Sequence, residues 1–197
     1  MKMEIATAGA PGPMPYFQQY HLLMALLVIR KKGSIGRKQL SRELSMGEGS
    51  VRSMLRRLTK AGLVKTERSG NVITPAGEEM LTDIGIEVIP IEGGESSVGT
   101  EDVAVIVPGK GNSITDGFSQ RDAAVRAGAL GATTLVYRNE GLTFPPDQEP
   151  MQDQGVLHQL KNVMRSPFKD DDVVIIGTAD NGTNATKGAL AAAMDLL

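Results

Sequence analysis

The stretch Ser50 to Lys60, SVRSMLRRLTK, constrains this chain most. At about 100° per residue, Val51, Met54, Leu55 and Leu58 fall on one narrow face of a helix. Ser50, Ser53, Arg56, Arg57 and Lys60 lie on or beside the opposite face, with Arg52 at its edge. A helix with one apolar stripe and four cations has two explanations. Its basic side is solvated, or it lies against a polyanion. The segments on either side decide between them.

Upstream, a helix is expected from about Pro15 to Lys32, apolar nearly all round from Leu22 to Ile29. A small domain does not easily enclose such a helix. A second subunit or a second domain is expected to cover one face, unless the small domain covers it alone. Lys31 and Lys32 suit a helix C-terminus, and Gly33 stops it. After an extended link, Arg37 to Leu44 forms a second helix, with Leu40 and Leu44 on one face. Ser45 to Gly49 is a turn, and Ser50 is placed to cap the basic helix. Helix, short helix, turn and basic helix make a helix-turn-helix order, in which the second helix of the pair enters the DNA major groove.

Downstream, Gly62 ends the basic helix. Leu63 to Arg68 reads as a strand, Ser69-Gly70-Asn71 as a tight turn, and Val72-Ile73 as the return strand. Thr74 is placed to cap a last helix that has Pro75 at its first position, Glu78 and Glu79 near its positive end, and an end near Ile84.

Charge divides the chain at this point. Residues 1–82 carry 13 Lys/Arg against 6 Asp/Glu, and residues 83–197 carry 8 against 17. A basic half joined to an acidic half implies two domains with different partners. The basic half suits nucleic acid. Absence of cysteine excludes disulfides and thiolate metal sites and fits a cytoplasmic location. The longest apolar run, Leu22 to Ile29, has eight residues, short of the roughly 20 that cross a bilayer. No membrane association and no signal peptide are expected. The start, with Ala8-Gly9-Ala10-Pro11-Gly12-Pro13, reads as a mobile arm. The domains expected are 14–85 and 86–197.

In the second domain a strand is expected over Glu87 to Ile91, followed by the Gly93 to Ser97 loop or linker. Asp102 to Val107 is an apolar strand and Pro108 to Ser113 a glycine-rich loop. A helix runs from Ser119 to Ala129, with Ser119 and Asp122 in capping-box spacing. Strands at Thr133 to Tyr137 and Leu142 to Phe144 precede a helix from Gln154 to Met164, whose apolar side carries Val156, Leu157, Leu160, Val163 and Met164. Asp170-Asp171-Asp172 reads as a solvated loop before strand Val173 to Ile176. The segment Gly177 to Asn184 then forms a loop into a small-residue helix. This order implies a small α/β domain with a mixed sheet.

Taken together, Leu40 to Leu44, Val51 to Leu58, Ala61-Gly62-Leu63-Val64 and Ile73-Thr74-Pro75-Ala76-Gly77 resemble a winged helix-turn-helix transcription regulator of the prokaryotic and archaeal type. The resemblance covers about residues 16–85 and rests on five elements in order. It implies an α+β two-domain protein whose N-terminal winged helix-turn-helix binds DNA. Gln120-Arg121-Asp122-Ala123-Ala124 is similar to a C-terminal domain of unknown function found on archaeal winged-helix proteins, which implies no activity.

Ser53, Arg56, Arg57 and Lys60 are expected to face the groove, where arginine bonds two acceptors on guanine. Ser50 and Arg52 are expected at phosphates, as are Arg37 and Lys38, cations at a helix start where the dipole disfavours them. Lys65, Arg68 and Asn71 on the hairpin are expected at the backbone or minor groove. In the second domain the two loops follow strands and precede helices, the usual ligand position in open α/β sheets. Neither is a P-loop: the first lacks the spacing, and in the second Thr183 occupies the lysine position. Asp116, Ser119, Gln120, Arg121, Asp122, Asp180, Asn181, Thr183 and Asn184 are the candidate ligand groups, with capping and turn formation as the plain alternative.

His21 and His158 have no metal-spaced partner, and no carboxylate pair is singled out. No catalytic residue, metal or cofactor is expected. The expected function is a DNA-binding transcriptional regulator. It would act on double-stranded DNA as a homodimer, and its second domain would sense a small-molecule effector or mediate dimerisation. The alternatives are a metabolite-binding protein or enzyme whose winged helix serves protein interaction, and an interaction protein with no small ligand.

Overall fold

The computed structural model describes residues 16–92 and 97–197. The arm expected at 1–13, and residues 93–96 of the expected linker, lie outside the described residues. The chain divides into two compact units, one ending at Ile84 and the next starting at Gly85.

The first unit has helices α1 (Gln19–Lys32), α2 (Arg37–Glu43) and α3 (Glu48–Lys60), strands β1 (Val64–Glu67) and β2 (Gly70–Ile73), and helix α4 (Pro75–Ile84). Leu22, Leu23, Leu26, Ile29, Leu40, Leu44, Val51, Met54 and Leu58 are all buried, and α2 packs against both α1 and α3. Six of the eight residues from Leu22 to Ile29 are buried and the other two half-buried within this single chain. No second subunit is required to cover α1.

Two helix starts differ from expectation. The first helix begins at Gln19, where the Gln18 backbone N–H donates to His21 Nδ1 at 3.0 Å. The basic helix begins at Glu48, with Gly47 as its cap residue, because the Val51 N–H already donates to Gly47 O at 3.1 Å. Ser50 therefore sits inside the first turn and does not cap it. Glu48 adds a negative charge at the positive end of the helix, a favourable placement.

β1 and β2 pair antiparallel around Arg68-Ser69, with Val64 opposite Ile73 and Glu67 opposite Gly70. Thr74 Oγ1 accepts from the Gly77 N–H at 3.1 Å and donates to Gly62 O at 2.6 Å, so its capping role holds and it also ties α4 to the end of α3. Gly77 is glycine for a packing reason. A Cβ there would stand 2.4 Å from Leu63 O and 2.6 Å from Ile73 Cγ1.

The second unit is built on a six-stranded sheet in the order β3-β4-β8-β5-β6-β7. Its elements are β3 (Glu87–Ile91), β4 (Glu101–Val107), α5 (Phe118–Arg126), β5 (Gly131–Arg138), β6 (Gly141–Phe144), β7 (Glu149–Pro150), α6 (Gln154–Val163), β8 (Val173–Ala179) and α7 (Gly182–Ala193). Every neighbouring pair is antiparallel, so the expected mixed sheet is corrected. The last strand, β8, enters between β4 and β5. It separates two strands that run the same way and are joined through α5, a split β-α-β arrangement. The mixed α+β composition stands.

Alternation assigns the faces. Ala104, Ile106, Leu135, Tyr137, Val174 and Ile176 pack with Val156, Leu157 and Leu160 of α6. Val103 and Ala179, on the other face, pack with Ala185 of α7. Val163 is exposed and Met164 only half-buried, so α6 has a shorter apolar side than expected.

Candidate nucleic-acid interface

The outer side of α3 is a line of Gly49, Ser53, Arg56 and Lys60 opposite buried Leu58, with Arg52 beside it. Arg52, Ser53, Arg56 and Lys60 are all exposed, and no ion pair involves any of them among the described residues. Arg57 is half-buried, with its guanidinium carbon 5.1 Å from the centre of the Phe17 ring. That contact draws it off the line. The helix face therefore presents Arg52 and Arg56 as its two open guanidinium groups, and Arg52 is better placed than its angle alone suggested. Ser50 is half-buried.

The remaining predicted contacts divide in the same way. Arg37 Nη2 lies 3.3 Å from Glu48 Oε2, and the Arg37 Nε is buried with no hydrogen-bond partner among the described residues. Lys65 pairs with Glu67 at 2.7 Å on the same strand. Lys38 and Arg68 are exposed and have no ion pair among the described residues.

Asn71 corrects the expectation for the hairpin. It is 6% exposed, its Nδ2 donates to Ile35 O at 2.9 Å, and its Oδ1 accepts from Thr66 Oγ1 at 3.0 Å. Its backbone also bridges Ile35 in both directions. Asn71 thus fastens the α1–α2 link to the hairpin, and its amide is buried against those partners.

In the second unit the nine candidate ligand residues do not form one site. Gly117 lies against Thr134, where a Cβ would stand 3.1 Å from Thr134 Cβ, and Thr134 pairs with Ile175 in the middle of β8. Asp116, Ser119, Gln120, Arg121 and Asp122 belong to that neighbourhood. Asp180, Asn181, Thr183 and Asn184 follow the far end of β8, where Ala179 pairs with Glu101. Four residue steps of strand, about 13 Å, separate Ile175 from Ala179. The two loops follow strands of opposite direction, so they open at opposite ends of the sheet.

Within each group the local roles are structural. Asp116 Oδ1 accepts from the Phe118 N–H at 2.9 Å, and α5 starts after left-handed Gly117. The expected Ser119–Asp122 capping box is not made: Ser119 Oγ donates to Gln120 Oε1 at 3.0 Å. Gln120 is buried, whereas Arg121 and Asp122 are exposed. Asn181 caps α7 by accepting from the Asn184 N–H at 2.9 Å, Asp180 is exposed and Thr183 half-buried. Gly177 to Ala179 belong to β8 and not to a loop. Gly177 is there because α7 crosses closely: a Cβ would meet Ala185 O at 2.5 Å and Ala189 N at 2.7 Å.

The acidic triplet is not a solvated loop either. Asp172 is buried and accepts from the Gly109 and Lys169 N–H groups, each at 2.9 Å. Asp171 accepts from Arg138 Nη2 and from Asn112 Nδ2, also at 2.9 Å. These bonds close the glycine-rich loop over the end of the sheet. Among the described residues no cluster of His, Cys, Asp and Glu is placed to hold a metal. No helix among them is long and apolar enough to cross a membrane.

Two features escaped the sequence reading. Thr134 carries a buried hydroxyl with no hydrogen-bond partner among the described residues. Lys187 is a buried cation in the alanine-rich α7, and burial pushes its pKa below the lysine value of 10.5. A lone lysine among small residues was the available signal.

The family model described as "Domain of unknown function (DUF4443)" matches residues 98–196. The chain belongs to this DUF4443 family. A second model, the PH0730-like N-terminal domain, matches residues 22–79. The solved structure of hypothetical protein PH0730 from Pyrococcus horikoshii OT3 is 26% identical to the chain. That match covers 90% of this chain and 92% of the other, with a TM-score of 0.72. Among curated proteins none matches. The expected likeness to an archaeal C-terminal domain of unknown function is thereby borne out. The DUF4443 match spans both groups of candidate ligand residues and assigns neither a role.

Proposed function

We infer that this DUF4443 protein is a DNA-binding transcriptional regulator. In this reading the first unit is a winged helix-turn-helix, with α3 as recognition helix and the β1–β2 hairpin as wing. The observation that carries it is the outer line of α3. Arg52, Ser53, Arg56 and Lys60 stand exposed there, no ion pair engages the three cations among the described residues, and the opposite face is buried in the core. A helix that projects its side chains in this way fits a major groove about 12 Å wide. Lys38 at the start of α2 and Arg68 at the hairpin tip lie where flanking phosphates would run.

The second unit is proposed to pair two chains or to answer a small effector. The separation of the candidate ligand loops favours pairing, since those residues share no pocket-like neighbourhood. Pairing would double the DNA contacts and set the spacing of two half-sites. No catalytic step belongs to this reading.

A salt titration of duplex binding tests it. Five exposed cations, Lys38, Arg52, Arg56, Lys60 and Arg68, are open to phosphate or base. If all five met phosphate, log K would fall with log salt at a slope of about −4.5 per chain, and if two read bases instead, about −2.7. A folded protein that binds no duplex at low salt refutes the reading.

A further inference from the structure

We propose that the target of α3 is a guanine-bearing major groove, with Arg52 and Arg56 each taking one guanine through its O6 and N7. This rests on the DNA-binding reading and adds which base is read and by which residues. The argument is one of elimination on the helix surface. Bidentate recognition of adenine takes the amide of Asn or Gln, and α3, EGSVRSMLRRLTK, contains neither. The nearest amide on the wing, Asn71, is spent on Ile35 and Thr66. Recognition of cytosine takes a carboxylate, and the acid of α3, Glu48, is paired with Arg37. Arg57 is held over Phe17. The groups left with a two-pronged donor pattern are Arg52 and Arg56.

Their spacing fits one strand of a duplex. Residues four apart rise about 6 Å along a helix, against about 3.4 Å between base pairs. Two extended guanidinium groups so placed reach guanines one or two steps apart. Lys60 lies a further turn toward the C-terminus of α3. Base edges are met by the N-terminal part of a recognition helix, so Lys60 is assigned to phosphate. Ser53, between the arginines, accepts or donates and adds no strong preference.

The test uses the full chain and duplexes selected by it from a random pool. The selected sites should share guanines one or two steps apart. Replacing each with 7-deazaguanine removes the N7 acceptor and leaves Watson–Crick pairing intact. Affinity should fall roughly tenfold or more at each position. Arg56→Ala should lose affinity for the selected site and become indifferent to 7-deazaguanine at one position, and Arg52→Ala at the other. Lys60→Ala should weaken binding evenly across sequences and reduce the salt slope by about 1.

Salt-dependent binding that ignores 7-deazaguanine overturns the guanine assignment and leaves the DNA-binding reading standing. So does a preference that survives in the double Arg52→Ala, Arg56→Ala variant. Absence of any duplex binding by folded protein overturns both. Circular dichroism of each variant separates lost contact from lost fold.

Discussion

Asn71→Ala separates a structural hairpin residue from a DNA contact. The native amide makes two side-chain hydrogen bonds, one to Ile35 O at 2.9 Å and one from Thr66 Oγ1 at 3.0 Å. The Ile35 carbonyl keeps its bond from the Asn71 backbone N–H at 2.8 Å, so no buried acceptor is stranded. Thr66 is exposed, and water can replace its lost partner. The cost is then two ordinary bonds at about 0.5–1.5 kcal/mol each, or about 1–3 kcal/mol in total. The natural assay is hydrogen exchange, because the Ile35 and Asn71 amides bond each other's carbonyls and exchange only when the hairpin lifts from the α1–α2 link. Both should exchange about 5- to 150-fold faster in the variant. Thr66→Ala, which removes one bond, should show the smaller part of the effect. DNA affinity per folded molecule should stay within about twofold. Unchanged exchange with a large loss of duplex affinity would show that Asn71 reaches DNA and that the hairpin is held by other means.

Two further outcomes follow from the second unit. Gly177→Ala should lower its unfolding midpoint sharply, since the added methyl meets α7 backbone at 2.5 and 2.7 Å and overpacking costs about 1–3 kcal/mol or more. Gly109→Ala, strained at φ +63° but in open space, should cost less; an equal or larger loss there would count against the packing argument. Lys187→Met should raise the thermal midpoint at pH 7, because Lys187 is buried and its pKa is pushed below 10.5. The folded chain then binds fewer protons than the unfolded one between the lowered pKa and 10.5, so wild-type stability rises with pH across that window. The advantage of the variant should therefore be full below the window and gone above 10.5. A gain independent of pH would refute the charge-burial account.

What was legible in the sequence follows from range. The buried face of α3 is visible because a helix repeats every 3.6 residues and leucines at that period report one environment. The Thr74-Pro75-x-Gly77 turn is equally local. Its cap is formed as read, although the packing reason for Gly77 needs the coordinates of Leu63 and Ile73. The cap of α3 lies three residues before the expected Ser50, which is the better capping side chain. Gly47 takes the role with its carbonyl alone. The strand order was not legible. β8 pairs with strands that lie some 40 and 70 residues earlier, and nothing near Val173 states which neighbours it will have.

The division between local and distant information also separates the two candidate sites. A helix face is one element, so Arg52, Ser53, Arg56 and Lys60 share it by periodicity alone. The candidate ligand loops of the second unit follow two different strands. They would open at the same end of the sheet only if β4 and β8 ran the same way, and β4 and β8 are antiparallel. Even on α3, periodicity places side chains and does not name their partners. Arg57 and Arg52 flank the line almost symmetrically, yet Phe17, forty residues upstream of Arg57, takes one and leaves the other open. The cations open to a DNA contact are thus those with no ion pair or ring contact among the described residues. Such vacancies can be counted only after every distant contact has been placed.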